Sequence, residues 1–378
     1  MRSRFFPPVF KGRLHDARTA TSIGRWLGLA FAVCFCTGLI SHFIQHPPGW
    51  LANELPSRPV WGYRFTQGLH VASGIAAIPL LLAKLWTVYP RLFEWPPVRS
   101  VRHALERVSV AVLVAAALFE LATGLLNTVQ WYPWPFSFVQ VHYAVAWLLV
   151  GALVLHIVVK APEIAAHWSR RSPGTLSLPA EDAPDRRSLL AAVAAAVGAV
   201  TVTTVGQSFT PLKDLTLLAP RHPDHGPEGL PVNRTAAAAG VGLIHAERYR
   251  LTISGPRPCT LKLDELRALP QHEVELPIAC VEGWSKSAHW TGVRVVDLLQ
   301  RVGAPVHARV RVVSLQTRGG YRVCEMGHEH ARDPLTLLAL RLNGEELSPD
   351  HGYPVRLIAP NRPGVLQTKW VGRLEVLS

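Results

Sequence analysis

Cysteine is scarce in this 378-residue sequence, and no two cysteines stand as CxxC. The five that occur, Cys34, Cys36, Cys259, Cys280 and Cys324, supply neither a zinc ribbon nor a dense disulfide framework. Basic residues are missing just as unevenly. The segment NTVQWYPWPFS, residues 127–137, has none, and the stretch between the first two apolar runs has only Arg58 and Arg64. The net charge of +13 is therefore gathered in particular loops. That pattern excludes a nucleic-acid surface as its purpose and points to membrane topology.

What is abundant is apolar sequence. Hydrophobic residues make up 49% of the chain, and the mean hydropathy is +0.18. Four runs reach the roughly 20 residues that span a bilayer: Trp26–Phe43, Thr66–Trp86, Val108–Leu126 and Phe138–Val159. A fifth, Leu189–Gly206, is weaker and rich in Ala, Thr and Val. The first four are apolar on all faces, unlike helices of a soluble bundle. Cys34 and Cys36 fall inside the first and are expected to face lipid or core.

The loops set an orientation. Arg2, Arg4, Lys11, Arg13, Arg18 and Arg25 precede run one. Lys84, Arg91, Arg99, Arg102 and Arg107 lie between runs two and three. Lys160, Arg170, Arg171, Arg186 and Arg187 follow run four. An amino terminus in the bacterial cytoplasm, with five crossings, leaves everything after Gly206 outside the cell membrane. Aromatic residues at 131–134 suit an interfacial belt. The entry to run five, Asp185-Arg186-Arg187-Ser188-Leu189-Leu190, is similar to a twin-arginine export signal, and ordinary flanking charge is the alternative. Such a signal would export a domain already folded around a cofactor. The expected division is a four-helix domain over 1–168, a linker and fifth span over 169–206, and an extracytoplasmic domain over 207–378.

Histidines within the runs are costly and point to function. His70 lies about one turn into run two, and His142 about one turn into run four from the same side. Two neutral imidazoles facing each other across a bundle are the usual axial pair for a b-type haem. His156 follows His142 by 14 residues, about 21 Å of rise on nearly the same face, which suits a second haem. Its partner is missing, since the position 14 residues after His70 is Lys84. His103 is a weak substitute, and His42 is an alternative to His70. A lone histidine can also simply hydrogen-bond a neighbouring carbonyl. Gly74 and Gly124 lie where a macrocycle needs close helix approach, or where small residues merely help helices pack. Glu120 is a candidate proton relay for a quinone, or a structural carboxylate. The four-span block resembles the membrane cytochrome b subunits of respiratory oxidoreductases.

Residues 207–378 are enough for one domain. Gln207–Arg234 reads as an extended arm. Strands are expected at Tyr249–Ile253, Glu273–Ile278, Ala308–Ser314, Val355–Ile358 and Leu374–Leu377. Helices are expected at Leu263–Ala268, Val295–Val302 and Leu335–Arg341. The mixed order gives an α+β class for this half, after an all-α bundle of membrane helices. Cys280 ends an apolar strand and opens a loop, where sites tend to be built, and its thiolate is a soft metal ligand. A buried inert cysteine is the alternative.

The stretch Cys280-Val281-Glu282-Gly283-Trp284-Ser285, followed by Trp290-Thr291-Gly292-Val293 as a turn, resembles the sulfite oxidase-type molybdopterin enzymes. It is nearest their periplasmic methionine sulfoxide reductase branch. Leu337-Leu338-Ala339, Asn343-Gly344-Glu345, His351-Gly352-Tyr353-Pro354-Val355-Arg356 and Gln367-Thr368-Lys369-Trp370-Val371-Gly372-Arg373 agree, so the resemblance covers about 230–378. It implies that Cys280 is the thiolate on molybdenum. It also implies pterin contacts from Asn233, Arg234, Thr235, Ser285 and Lys369. Chemistry adds Trp284 as a flat neighbour of the pterin rings, with Arg234 and Lys369 as cations for a phosphate. The sulfite-oxidising branch follows its cysteine with a basic, Asn-rich segment, whereas this chain has Glu282-Gly283, which disfavours sulfite. The chain stops at Ser378, which leads to the expectation of no appended dimerisation domain and a monomer. His289, His328 and His330 line the site mouth or lie on the surface, with the surface favoured for the last two. Cys259 and Cys324 are candidates for a disulfide that sequence cannot establish.

The combined expectation is a membrane oxidoreductase that exchanges electrons with quinone through b haem. It would exchange an oxygen atom with a small substrate such as a sulfoxide at an exported molybdenum. The alternatives are a haem-only electron carrier with a degenerate exported domain, and a molybdenum enzyme on a haem-free anchor.

Overall fold

The computed structural model describes residues 15–166, 186–206, 210–219, 221, 224–281 and 283–377. Asp185, Gln207, Glu282, Arg2, Arg4, Lys11, Arg13, Arg170 and Arg171 lie outside them. The chain forms two compact units. One holds Met1–Cys36, Leu69–Gly206 and Leu215–Leu218, and the other holds Thr37–Gly68, Gln207–Asp214 and Ala219–Ser378. The division runs through two helices, after Cys36 and after Gly68.

Five helices are long and apolar enough to cross a membrane: α1 (Ala17–Gln45), α2 (Gly62–Leu92), α3 (Val101–Thr128), α4 (Phe138–Ala166) and α5 (Arg186–Val205). Each begins at or before its apolar run, because polar residues at the ends continue the helical hydrogen bonding. Ser100, for example, caps α3 by accepting the His103 N–H. In the first unit Ile23, Leu27 and Phe31 of α1 pack with Ala77, Leu80 and Leu81 of α2, Ala116 and Ala117 of α3, and Leu149 of α4. Trp26, Leu82, Val154 and Val158 remain exposed, as lipid-facing positions would.

The second unit is α+β. Its strands are β1 (Arg250–Ser254), β2 (Cys259–Lys262), β3 (His272–Ala279), β4 (Ser285–Arg294), β5 (Arg309–Ser314), β6 (Val323–Met326), β7 (Leu337–Leu342), β8 (Glu345–Glu346), β9 (Arg356–Ile358) and β10 (Val371–Leu377). Its helices are α6 (Ala236–Ala239), α7 (Leu263–Ala268), α8 (Val295–Arg301) and α9 (His328–Arg332). One sheet runs β2-β1-β10-β5-β6, with β1 parallel to β10. The other runs β3-β4-β7-β8, with β9 also paired to β7. Leu251, Ile253, Val310, Val312 and Leu374 face a core shared with α7 and α8. Leu276, Ile278, Trp290, Leu342 and Ile358 form a second core around the other sheet.

Several expectations need correction. Leu335–Arg341 is not a helix: Leu337–Leu342 forms β7, paired on both sides and almost wholly buried. A short continuous apolar run does not distinguish a central strand from a buried helix. The Trp290-Thr291-Gly292 stretch is not a turn but part of β4, with a register shift between Thr291 and Gly292. Gly292 is required there, since a Cβ would sit 2.1 Å from the Leu338 carbonyl oxygen. Cys259 and Cys324 are free. They lie on the two opposite edge strands of one five-stranded sheet, roughly 19 Å apart at the usual strand spacing. His330 is buried at 3% exposure rather than on the surface. Helix α9 turns its ring inward, and burial with the nearby Arg362 charge pushes its pKa down to about 3.

Candidate functional site

Cys280 follows β3 directly and is buried. Its N–H donates to the Trp284 carbonyl at 2.9 Å, and its own carbonyl accepts from Gly283 N–H at 3.2 Å. The loop can close this tightly because Gly283 adopts φ +92°, a region that disfavours side chains. Trp284 is buried beside the thiol. The Asn233 side-chain amide joins the two. Its nitrogen donates to Cys280 Sγ at 2.6 Å, and its oxygen accepts the Trp284 indole N–H at 3.0 Å. Ser285 opens β4 with a buried Oγ that has no hydrogen-bond partner among the described residues.

Arg234 and Thr235 follow Asn233 on the same segment. Thr235 caps α6 by accepting the Ala238 N–H. The Arg234 guanidinium lies where a Cβ on Gly319 would meet its nitrogen at 2.3 Å, and its carbonyl accepts from Lys369 Nζ at 3.0 Å. Lys369 Nζ also donates to the Asp350 carbonyl at 2.6 Å. Burial and the Arg356 charge push the Lys369 pKa well below its usual value, against the pull of Asp350.

Sequence reasoning did not find the second layer. Arg356 is buried on β9, its guanidinium 5.3 Å from the Trp290 ring centre and its Nε without a hydrogen-bond partner among the described residues. Burial lowers its pKa to about 9, opposed by Glu228. The His351 Nδ1–H donates to the Glu228 carboxylate, which also accepts the Ser348 N–H. Glu228 comes from a turn more than a hundred residues away, and no spacing rule connects it to His351. His351 and Arg356 lie within the His351–Arg356 motif, and the missed signal was an arginine set in the apolar run Val355-Arg356-Leu357-Ile358.

In the first unit the structure brings His70 and His142 together, with ring centres 6.3 Å apart and planes at 87°. His70 Nδ1–H donates to the Cys34 carbonyl at 2.8 Å, with Cys34 Sγ at 3.5 Å. His142 Nδ1–H points at Glu120 Oε2, 3.1 Å away, with Thr123 Oγ1 at 3.0 Å. Two imidazoles ligating one iron through Nε2 place their ring centres about 6 Å apart, given metal–nitrogen bonds of about 2 Å. A Cβ on Gly124 would make only ordinary contact with His142 at 3.5 Å, so that glycine is not forced by crowding. His156 lies on α4, and Lys84 donates to the Ala20 carbonyl. The His42 ring lies tilted at 52° beside that of His46, with ring centres 5.4 Å apart, in the second unit. His103 Nδ1 accepts the Arg99 N–H at the edge of α3.

Residues 238–378 match the family model of the oxidoreductase molybdopterin binding domain. Mitochondrial sulfite oxidase of Rattus norvegicus is 29% identical over 161 residues, 35% of this chain and 30% of the rat protein. A putative protein-methionine-sulfoxide reductase subunit, YedZ1, of Azospira oryzae is 32% identical over 168 residues, 44% of this chain and 63% of that one. The uncharacterized oxidoreductase YuiH of Bacillus subtilis is 31% identical over 131 residues, 34% of this chain and 65% of that one. The chain thus spans under a third of the rat relative and under two thirds of the two bacterial ones.

The residues around Cys280 fit such a cofactor. A buried soft thiol stands among cations that burial makes reluctant to stay charged without an anion, and a buried hydroxyl and guanidinium nitrogen await partners. Residues 238–378 therefore match an oxidoreductase molybdopterin binding domain and are similar to sulfite oxidases, on a chain whose amino-terminal part holds five apolar helices.

Proposed function

We propose that this chain is a membrane-bound, quinone-linked molybdopterin oxidoreductase that exchanges an oxygen atom with a small oxo compound of the sulfoxide kind. Residues 1–168 serve as the membrane domain, 169–206 as linker and fifth span, and 207–378 as the extracytoplasmic redox domain. The observation that carries the reading is the Asn233–Cys280–Trp284 arrangement, which presents one buried sulfur at the end of β3.

Cys280 would be the protein ligand to molybdenum, and Asn233, Arg234, Thr235, Trp284, Ser285 and Lys369 would hold the pterin. When bound, the cofactor supplies two-electron oxygen-atom exchange. The chain's own residues prepare that site. Asn233 donates to the sulfur and withdraws electron density from it. Lys369 and Arg356 offset the negative charge of a phosphate or dithiolene. Trp284 walls off solvent. Glu282-Gly283, where sulfite-oxidising relatives are basic, removes an attraction for sulfite.

Electron exchange with quinone is assigned to the helices. His70 and His142 would be the axial pair of a b-type haem, their rings oriented through Nδ1 by Cys34 and Glu120. His42 and His156 are secondary candidates for a further haem. The molecule would work as a monomer, with its amino terminus in the bacterial cytoplasm.

The test is molybdenum per chain in detergent-purified protein, with the dithionite-reduced spectrum and sulfoxide-dependent oxidation of a reduced quinone analogue. The expected result is about one molybdenum per chain, a sharp reduced b-type band and activity abolished in Cys280→Ser. Protein without molybdenum from a host that makes the cofactor would overturn the reading. Molybdenum without the haem band would support the haem-free anchor instead.

A further inference from the structure

Thr37–Gly68, the end of α1 and the start of α2, belongs to the compact unit that holds Cys280. Within that unit its ties to the redox domain include four. Asn53 Oδ1 accepts the His328 N–H at 3.2 Å. Arg58 pairs with the buried Asp333 at 3.0 Å. Asn361 accepts the Tyr63 N–H at 2.7 Å and donates to the Pro56 carbonyl at 2.8 Å. The fourth tie reaches the site itself. Gln67 Nε2 donates to the carbonyl of Val281, the residue after Cys280, at 3.0 Å.

Gln67 is not a loose surface amide. It is 5% exposed, and its side chain is fixed at both ends. Its Oε1 accepts from Ser41 Oγ at 2.8 Å and from Tyr63 OH at 3.4 Å, and both of those residues are buried. Ser41 Oγ in turn accepts from Gln45 Nε2 at 3.0 Å, and Gln45 Oε1 accepts from Tyr321 OH at 3.4 Å. The Cys280 sulfur is thus bracketed by two side-chain amides, Asn233 on the sulfur and Gln67 one peptide away. An amide whose acceptor is satisfied by two hydroxyls has one orientation left, with its N–H towards Val281.

We propose that Gln67, held by Ser41 and Tyr63, is a positioning residue that sets the orientation of the Cys280 loop from the start of α2. The Val281 carbonyl belongs to the next peptide but one after the Cys280 Cα, so fixing it restrains the loop backbone on the carboxyl side of the thiol. A helix end reaching from the apolar part of the chain therefore controls the direction in which the sulfur is presented. The proposal rests on the reading of Cys280 as a metal ligand.

The test uses the full chain in detergent, comparing wild type with Gln67→Met, which keeps the volume and cannot donate. Hydrogen exchange of the amides over 280–284 reports the loop whether or not metal is bound, and the paramagnetic signal of partly reduced molybdenum reports sulfur orientation. Gln67→Met is expected to speed exchange of these amides about tenfold, for one lost hydrogen bond. It should also shift the molybdenum signal and lower kcat several-fold with KM retained. Exchange in β5 should stay at its wild-type value, while the Tm falls because Gln67→Met leaves the Val281 carbonyl and the buried Ser41 and Tyr63 hydroxyls one partner short. Ser41→Ala, which frees the amide but leaves the donor, should show the same pattern at smaller amplitude, and decides the matter if Gln67→Met does not fold. Unchanged loop exchange and an unchanged signal would overturn the proposal, as would a lowered Tm with both unchanged. If wild-type protein lacks molybdenum, the function proposed above fails, while the exchange data still decide whether Gln67 holds the loop.

Discussion

His70 and His142 are each steadied through Nδ1 by one neighbouring helix, α1 for the first and α3 for the second. Cys280 is held by residues from separated stretches of chain: Asn233, Trp284 and, through Val281, Gln67. The helical pair needs only depth and face to be right, and a regular helix supplies both. The cysteine needs a buried loop whose backbone must itself be satisfied, so its supports arrive from wherever the fold permits. The lesson is that rigid elements position side chains with few supports, whereas a loop site depends on a polar network and is correspondingly sensitive to distant residues.

The largest expected effects would break the comparison apart. His142→Ala should remove the reduced b-type band while leaving molybdenum per chain at the wild-type value, measured by spectrum and elemental analysis. Cys280→Ser should leave the haem band intact while cutting oxo-substrate turnover by at least about a hundredfold. If either change removed both signals, the two sites would not be held independently.

Asn233→Ala should come next. It leaves the buried Trp284 indole N–H without Asn233 as its acceptor, a cost of about 1–3 kcal/mol for such a group. A lower Tm and about tenfold lower turnover are expected, with the haem band unaltered. A smaller effect is predicted at His330. Its native pKa is about 3 against 6.5 unfolded, so the unfolded chain binds the extra proton between those values. Stability is therefore full above pH 6.5 and is lost as pH falls towards 3, by on the order of 5 kcal/mol across the window. His330→Leu should flatten that part of the acid denaturation curve. The smallest effect belongs to Glu346→Ala, which removes an exposed pair with Arg267 and should change stability by under about 1 kcal/mol.

The same contrast explains how much the sequence revealed. The five apolar helices were legible because hydropathy persists over about 20 residues, and the His70–His142 pairing followed from depth alone. In the second unit α7 and α8 fell where short amphipathic runs put them. The strands at Arg250–Ser254, His272–Ala279 and Val371–Leu377 were also visible. Leu337–Leu342 was not, because a strand buried on both faces loses its alternation. Cys280, Asn233 and Lys369 could be picked out from local motifs. Arg356, Glu228 and Gln67 could not, since each acts through a partner brought close only by folding.

One hydrogen bond bears on biosynthesis. The first turn of α2 is capped by Asn361, which is 298 residues later in the chain than Tyr63. At roughly 5–20 residues per second, the ribosome delivers that cap on the order of 15–60 s after it has made the helix. On the topology proposed above, the redox domain must also cross the membrane before the two meet. The start of α2, with Gln67 one turn further along, therefore stays unfinished until late in synthesis. It would complete the cysteine loop only after translation and translocation are over, as a final step of maturation.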